Sequence, residues 1–314
     1  MEYKEQNFVS AVIYVYNAAD RIDVFLSKVI NILETNFEHS EIICVNDFSV
    51  DNSIDEIKKT SKKAVSTSIS ILNMSYFQGL EISMNAGRDL AIGDFVFEFD
   101  RTVLDFDTSE IMNVYQKSLK EGYDIVSAAP EGKTRVSSRL FYNLFNKMAD
   151  LPYDMETESF RMVSRRVINR IDAANKTIYY RKAAYVSSGL KSTVVKYTPV
   201  KTASPVKEDK HEKGFRWELA INSLILFTNV GYQFSFTMTM IMMMLSVFMI
   251  VYTIVVYAFA HPVAGWTTTL LFLSVAFFGL FGILTVVIKY LQLLVDLTAR
   301  RKHYSFESIV KLTK

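Results

Sequence analysis

Residues 42–53 read IICVNDFSVDNS, and this stretch decides what kind of fold the chain adopts. The apolar run Ile42–Val45 has the composition of a buried strand. Polar residues follow at once, and Asp-Asn-Ser at positions 51–53 is typical of a helix start. We therefore predict a strand at Ile42–Asn46, a short polar turn, and a helix that runs to Lys62.

The same strand–helix alternation continues on both sides of this unit. Further strands are predicted at Phe8–Tyr16, Thr67–Leu72, Phe95–Phe99 and Ile125–Ala128, with helices at Ala19–Thr35, Glu81–Ile92 and Thr108–Glu121. This order favours an α/β fold with a mainly parallel sheet covered by helices on both faces. Ligands bind such sheets beyond the carboxyl ends of the strands. Polar residues stand at those ends, namely Tyr16, Asn17, Asn46, Asp47 and Asp100.

The C-terminal third is different, because the chain has no Asp, Glu, Lys or Arg from Leu219 to Ile288. One helical span of a bilayer needs about 20 apolar residues. We predict two transmembrane helices, Phe234–Ala260 and Trp266–Ile288, joined by a turn that contains Pro262 and Gly265. Residues 215–232 either form an amphipathic helix at the membrane interface or extend the first span.

Basic residues lie on both outer flanks of this hairpin, and the turn has none. They are Lys207, Lys210, Lys213 and Arg216 before it and Arg300, Arg301 and Lys302 after it. The positive-inside rule then predicts both termini in the cytoplasm. The expected location of the protein is a bacterial-type inner membrane. The predicted domains are a cytoplasmic domain at 1–200, a loop and interfacial helix at 201–232, the hairpin at 233–290 and a basic tail at 291–314.

Composition favours neither a nucleic-acid-binding protein nor a disulfide-stabilised one. The net charge is only +2, so nothing indicates a nucleic-acid partner. Cys44 is the single cysteine, so no intrachain disulfide is possible, and its apolar surroundings predict a buried side chain. The four histidines are scattered without the spacing of metal ligands.

Several motifs resemble, in their order and spacing, those of the family 2 glycosyltransferases, specifically the membrane-anchored polyprenyl-phosphate glycosyltransferases. The segments are VIYVYN at 12–17, VNDFSVDNS at 45–53, the glycines at 79, 87 and 93, FDRT at 99–102 and ETESFRMVSRR at 156–166. The resemblance covers nearly the whole chain. It implies a GT-A-like nucleotide-diphospho-sugar domain, a polyprenyl phosphate or lipid-linked glycan as acceptor, and a homo-oligomer, by analogy a tetramer.

The resemblance also implies roles for individual residues. The nucleotide-sugar would be held by Tyr16, Asn17, Asp47, Gly79 and Arg101. Asp100 would act in catalysis and, with Thr102, hold Mg²⁺ or Mn²⁺ weakly and only with the donor present. Glu156 would orient the acceptor, or serve as the base if the acceptor is a hydroxyl. Arg135, Arg161 and Arg165 are candidate ligands of the acceptor phosphate, because a guanidinium matches phosphate geometry.

The chain departs from the family pattern near the expected donor site. Asn46, Thr102 and Ser159 replace aspartates, whereas Phe48 replaces a glycine and Phe77 an asparagine. Strand alternation puts Glu98 on the same face as Asp100, where it either supplies the missing charge or, as we favour, faces a solvated patch. The departures leave a second hypothesis open: a catalytically silent relative that binds a partner enzyme or a lipid-linked glycan.

Overall fold

The computed structural model describes residues 4–132, 136–148, 155–174, 180–200 and 304–313, together with scattered positions between 221 and 294. The chain divides into two compact units. The first comprises Met1–Ala220 with Arg301–Lys314, and the second comprises Ile221–Arg300. The predicted cytoplasmic domain therefore includes residues from the far end of the chain.

The first unit is built on one eight-stranded sheet. Its strands are β1 (Val9–Val15), β2 (Ser40–Asn46), β3 (Ser68–Met74), β4 (Phe95–Phe99), β5 (Ile125–Pro130), β6 (Phe160–Ser164), β7 (Ser192–Tyr197) and β8 (Phe306–Lys311). Its helices are α1 (Ile22–Asn36), α2 (Ser53–Ser61), α3 (Leu80–Leu90), α4 (Ser109–Glu121), α5 (Val136–Met148), α6 (Arg165–Ala174) and α7 (Arg181–Ser187). The sheet order is β7-β5-β6-β4-β1-β2-β3-β8.

The pairing confirms the predicted α/β fold with a mostly parallel sheet. Strands β1 to β4 are mutually parallel, and β7 is parallel to β5. Strand β6 runs antiparallel between β4 and β5, and β8 runs antiparallel beside β3. The sequence analysis did not predict β6, β7 or β8. Within the predicted basic tail, residues 306–311 form an edge strand of the sheet.

Alternating side chains of the sheet enter two hydrophobic cores, one on each face. On one face Val9, Ala11 and Ile13 pack with α1, α2 and α4. On the other face Val12 and Tyr14 pack with α3, α6 and α7. Strand β1 is buried along its whole length, as its continuous apolar sequence predicts for a central strand.

Two glycines of the predicted family pattern have a packing role. A Cβ on Gly87 would lie 2.4 Å from Val45 Cγ2 and 2.5 Å from Val12 Cγ1, so helix α3 lies directly on the sheet. A Cβ on Gly93 would lie 2.6 Å from the Ser10 backbone nitrogen. Gly93 follows α3, so these close approaches hold the C-terminal half of α3, and the loop after it, against the central strands.

The predicted interfacial helix and transmembrane hairpin lie largely outside the described residues and stay predictions. Among the residues that are described, no helix is both long and apolar enough to cross a bilayer. One packing contact inside the second unit is described. A Cβ on Gly279 would lie 2.4 Å from Met242 Cε, so this glycine is used for packing within the chain.

Candidate functional site

The predicted donor residues come together at one edge of the sheet. Strands β4, β1, β2 and β3 are adjacent, and their carboxyl ends carry Asp100, Asn17 and Asp47 and lead to Gly79. Parallel strands place these ends side by side, which is where ligands of open α/β sheets bind. The structure therefore brings these residues together, as the strand pattern predicts.

The turns after β1 and β2 are tied to each other. The Asn17 backbone donates to Ser49 Oγ (3.1 Å), and the Val50 backbone donates to Asn17 Oδ1 (3.0 Å). Asn17 and Phe48 both have left-handed backbone, with φ of 44° and 60°. Phe48 stands where the family pattern has glycine, so the turn keeps a glycine-like conformation despite a bulky, half-exposed side chain.

Asp47 lies at the predicted strand end but is fully buried. Its carboxylate accepts hydrogen bonds from the Tyr14 hydroxyl and from the Gln78 and Gly79 backbone nitrogens, each at 2.8 Å. Burial raises the pKa of Asp47 above its ordinary value, and these hydrogen bonds oppose that shift. Asp47 thus fixes the loop before α3, and Gly79, with φ of 82°, gives that loop its shape.

Aromatic rings line the same edge of the sheet. Tyr16 and Phe77 form a ring pair with centroids 4.8 Å apart. Phe77 replaces the asparagine of the family pattern, so an apolar contact stands where a polar group is expected. Arg101 is exposed beside Asp100 at the end of β4.

A buried cluster of charges lies beneath this edge, and Arg181 is at its centre. The Arg181 guanidinium contacts Glu81 (3.0 Å), Glu98 (2.7 Å) and Asp100 (2.7 Å). Its side chain is fully buried. Burial of an ion pair is tolerated only when its donors and acceptors are matched in this way.

Arg161 is the second cation of the cluster. It contacts Glu98 (2.8 Å), Asp100 (2.7 Å) and Glu158 (2.6 Å), and it is 3% exposed. Arg165 donates to the carbonyl oxygens of Ala91 and Gly93. Both guanidinium groups were expected to bind the acceptor phosphate, and in this arrangement both make hydrogen bonds to protein acceptors. Arg135 lies outside the described residues.

Glu98 also requires a correction. We favoured a solvated position, but Glu98 is 0% exposed and accepts from Arg161, Arg181 and the Tyr185 hydroxyl. It shares both arginines with Asp100, as strand alternation predicts for two residues on one face. Burial by itself raises the pKa of Asp100, but the Arg161 and Arg181 guanidinium groups hold it well below its ordinary value.

The residues present do not fit the predicted Mg²⁺ or Mn²⁺ site. Both oxygens of Asp100 accept from arginine, and the Thr102 hydroxyl accepts from Arg21 Nε at 3.0 Å. Over the described part of the chain, no three His, Cys, Asp or Glu side chains are grouped to hold a metal ion. Hard divalent cations favour carboxylate oxygens that do not already face a cation, and each Asp100 oxygen faces a guanidinium group.

Glu156 lies apart from this cluster, at the rim of a cavity of about 330 Å³. Its carboxylate is half-exposed and pairs with Lys196. Glu158, Arg161, Lys182 and Tyr185 line the same cavity, together with side chains of β5 and β7. The cavity therefore joins the accessible carboxylate of Glu156 to the buried charges.

Sequence reasoning missed Glu81, Arg181, Lys182 and Tyr185. Arg181 and Lys182 open a short helix that is otherwise mainly apolar, and all residues from Arg181 to Tyr185 are buried. Two adjacent basic residues at the start of an apolar stretch were the sequence signal that could have indicated buried, paired cations. The partners of Arg181 lie about 80 to 100 residues earlier in the chain, so only the fold reveals the pairing.

The model of the family Glycosyl transferase family 2 matches residues 10–184. An uncharacterized glycosyltransferase of Synechocystis sp. is 29% identical over 193 residues, which cover 60% of this chain and 59% of that protein. The bactoprenol glucosyl transferase of Shigella phage SfV is 26% identical over 282 residues, covering 86% and 88%. The mannosyltransferase of Pyrobaculum calidifontis, solved with GDP-Man and Mn²⁺, is 14% identical, with a TM-score of 0.49 and coverage of 70% and 63%.

The family match covers more than half of the chain and includes every strand end described above. The chain therefore belongs to glycosyl transferase family 2 and has the predicted α/β, GT-A-like fold. It spans about 59% of the length of the Synechocystis relative. Donor, acceptor and partners are accordingly proposals.

The acidity of Glu158 predicts a pH-dependent stability. Burial by itself raises the pKa of Glu158. The charges of Arg161 and Lys182 lower it by more than burial raises it, so the pKa in the folded protein lies below the ordinary value. A lowered pKa stabilises the fold above the unfolded-state pKa of about 4.3, and this contribution is lost as the pH falls through the folded value. Near pH 7 the melting temperature of Glu158→Gln should lie furthest below that of the unmodified protein. The difference between the two melting temperatures should shrink below about pH 4.

The exposed Glu38→Gln change is the matched control for this prediction, since Glu38 lies on the surface away from the cluster. Its melting temperature should follow that of the unmodified protein across the pH range. A Glu158→Gln difference that grows on acidification would contradict the assigned direction of the pKa shift.

Proposed function

We propose that this protein is an inverting membrane glycosyltransferase that moves one sugar from a nucleotide-diphosphate donor to a polyprenyl phosphate. A lipid-linked glycan is the other acceptor within this proposal. The product would feed synthesis of a cell-surface glycan. The observation that carries the proposal is the similarity to bactoprenol glucosyl transferase, which covers 86% of this chain and so extends into the charge-free segment.

The topology of the sheet supports the membrane part of the proposal. The chain leaves the first unit after Ala220 and rejoins it at Arg301, and β8 then pairs with β3. A segment that begins and ends at the same folded unit crosses a bilayer an even number of times. This agrees with a two-helix hairpin whose ends share the cytoplasmic face of an inner membrane. A homo-oligomer, by analogy a tetramer, remains part of the proposal.

The chemistry needs little from the protein if the acceptor is a phosphate. A phosphate oxygen is already an anion at neutral pH, so it attacks the anomeric carbon without a general base. The bond from that carbon to the nucleotide diphosphate breaks, and the diphosphate leaves with the electron pair. The strand-end turns at Asn17 and Asp47 would orient the donor, and the exposed Arg101 would face the leaving charge.

The direct assay incubates the purified protein with labelled nucleotide sugars and undecaprenyl phosphate and follows label in the lipid fraction. A Gly265→Cys variant tests the topology, because Cys44 is buried and burial raises its pKa to about 12. An impermeant maleimide should label the introduced thiol in intact cells. No transfer with any common donor by a folded protein, or labelling only after permeabilisation, would contradict the proposal.

A silent relative is the second candidate, and a specific observation favours it. Asp100 is committed to two arginines, and Thr102 and Asn46 stand where the family pattern has aspartates. Such a protein would bind a partner enzyme or a lipid-linked glycan through the same edge of the sheet. Calorimetry with nucleoside diphosphates, with and without Mn²⁺, separates the two candidates, since a silent pocket is expected to bind none.

A further inference from the structure

We propose that the segment Tyr304–Ser308, which follows the charge-free region in sequence, is a positioning element of the donor site. Two chains of hydrogen bonds lead from it to the turns after β1, β2 and β3. The inference rests on the proposed function only in placing a nucleotide at those turns.

The first chain passes through Gln78, which is 5% exposed. The Gln78 side chain donates to the Ser305 carbonyl (2.5 Å) and accepts from the Ser305 backbone nitrogen (3.0 Å). The Gln78 backbone nitrogen donates to Asp47 Oδ1 (2.8 Å). Gln78 thus holds Ser305 with its side chain and Asp47 with its main chain. A shift of residue 305 is passed directly to the carboxylate at the end of β2.

The second chain crosses the sheet through two asparagines. Asn73 Nδ2 donates to Ser308 Oγ (3.0 Å), and Asn46 Nδ2 donates to Asn73 Oδ1 (3.0 Å). Asn46 Oδ1 then accepts from the Ser49 backbone nitrogen (3.1 Å). Ser49 Oγ in turn accepts from the Asn17 backbone nitrogen, so this chain of hydrogen bonds reaches the turns after β1 and β2.

This second chain accounts for a departure from the family pattern. An ionised aspartate at position 46 has no N–H group, so it cannot donate to Asn73. The amide of Asn46 both donates toward β8 and accepts from the donor turn. The residue that weakens the family motif is therefore the residue that joins the turn to the C-terminal strand.

Further contacts anchor the segment itself. The Ser75 backbone nitrogen donates to the Ser305 carbonyl (3.0 Å), and the Tyr304 hydroxyl donates to Asp89 on α3 (3.0 Å). Burial and the Asp89 carboxylate raise the pKa of Tyr304 to about 12, so its hydroxyl remains a donor at neutral pH. Because four separate groups hold residues 304–308, the segment transmits position rather than resting on the surface.

The test uses the full-length protein with two variants that break these hydrogen-bond chains, one in the loop after β3 and one on β8. Gln78→Met removes the side-chain bonds to Ser305 but keeps the backbone bond to Asp47. Ser308→Ala removes the acceptor of Asn73. Thr313→Val is the matched control. Thr313 follows the far end of β8, and its hydroxyl accepts a hydrogen bond from the Ile69 backbone nitrogen (2.7 Å) at the amino ends of the parallel strands.

Two readouts are expected to change together in the test variants. Amide hydrogen exchange of residues 47–50 and 77–79 in the ligand-free protein should accelerate. With UDP-glucose and undecaprenyl phosphate as probes, the KM for the donor should rise about 2- to 12-fold for each lost hydrogen bond, whereas the KM for the acceptor should not change. Thr313→Val should accelerate exchange only at residues 67–70 and leave both KM values unchanged.

The exchange measurement decides the inference even if the enzyme is inactive. Unchanged exchange at residues 47–50 and 77–79 in both test variants overturns it, as does an equal effect of Thr313→Val on those residues. If the unmodified protein transfers no sugar, the proposed function fails, while faster exchange in the test variants alone still establishes the positioning role.

Discussion

Arg181→Ala is expected to lower the free energy of unfolding by about 3–5 kcal/mol, because removing one partner of a buried ion pair leaves uncompensated charge. Arg181 is the shared partner of Glu81, Glu98 and Asp100, and all four side chains are largely buried. In a unit of this size, each kcal/mol of lost stability lowers the melting temperature by roughly 2–4 °C. The melting temperature of Arg181→Ala should therefore fall by about 10 °C. Circular dichroism during thermal and urea unfolding measures both.

Arg166→Ala is the matched control for this prediction. Arg166 pairs with Asp124 at 3.1 Å, but its side chain is 69% exposed. Exposed pairs contribute about 0–1 kcal/mol, so this variant should unfold almost like the unmodified protein. Arg181→Lys should fall between the two, since lysine keeps the charge but loses the planar fork. Equal stability of Arg181→Ala and Arg166→Ala would show that the cluster does not support the fold.

Glu156→Gln should separate the two possible acceptors by the largest change in rate. A general base contributes about 10²–10⁴-fold, so transfer to a sugar hydroxyl should fall by that factor. Transfer to undecaprenyl phosphate should fall less than about tenfold, because a phosphate anion needs no base. Initial rates with both acceptors and one labelled donor measure the difference.

Lys196→Met is the control for Glu156→Gln. Lys196 is the ion-pair partner of Glu156, so this variant removes the pair and keeps the carboxylate. It should retain transfer to both acceptors. Complete loss of transfer to the phosphate acceptor in Glu156→Gln, with Lys196→Met active, would contradict the base-free mechanism.

The local features of the fold were predictable from the sequence. Strands β1 to β5 and helices α1 to α4 appear within a few residues of their predicted limits, because each carries its own apolar period and its own turn residues. The position of the site followed from the same pattern, since parallel strands align their polar ends. The family resemblance was carried by those same strand-end motifs.

The state of each site residue was not predictable in this way. Glu98 and Asp100 look like free carboxylates in the sequence, but their counter-ions come from β6 and α7, more than 60 residues later. Whether a carboxylate can hold a metal depends on which cations reach it. That is a property of the packed sheet and not of the motif.

The sequence by itself determined the alternating fold, the edge of the sheet that carries the site and the charge-free segment, because apolar periods and charge are local properties of the chain. Only the tertiary structure decided that Arg161 and Arg181 pair with Asp100, that Asn46 and Gln78 are linked to Ser308 and Ser305, and that the C-terminal residues form β8. Each of these depends on contacts between residues distant in sequence. Such contacts form only when burial in two shared cores brings the strands together.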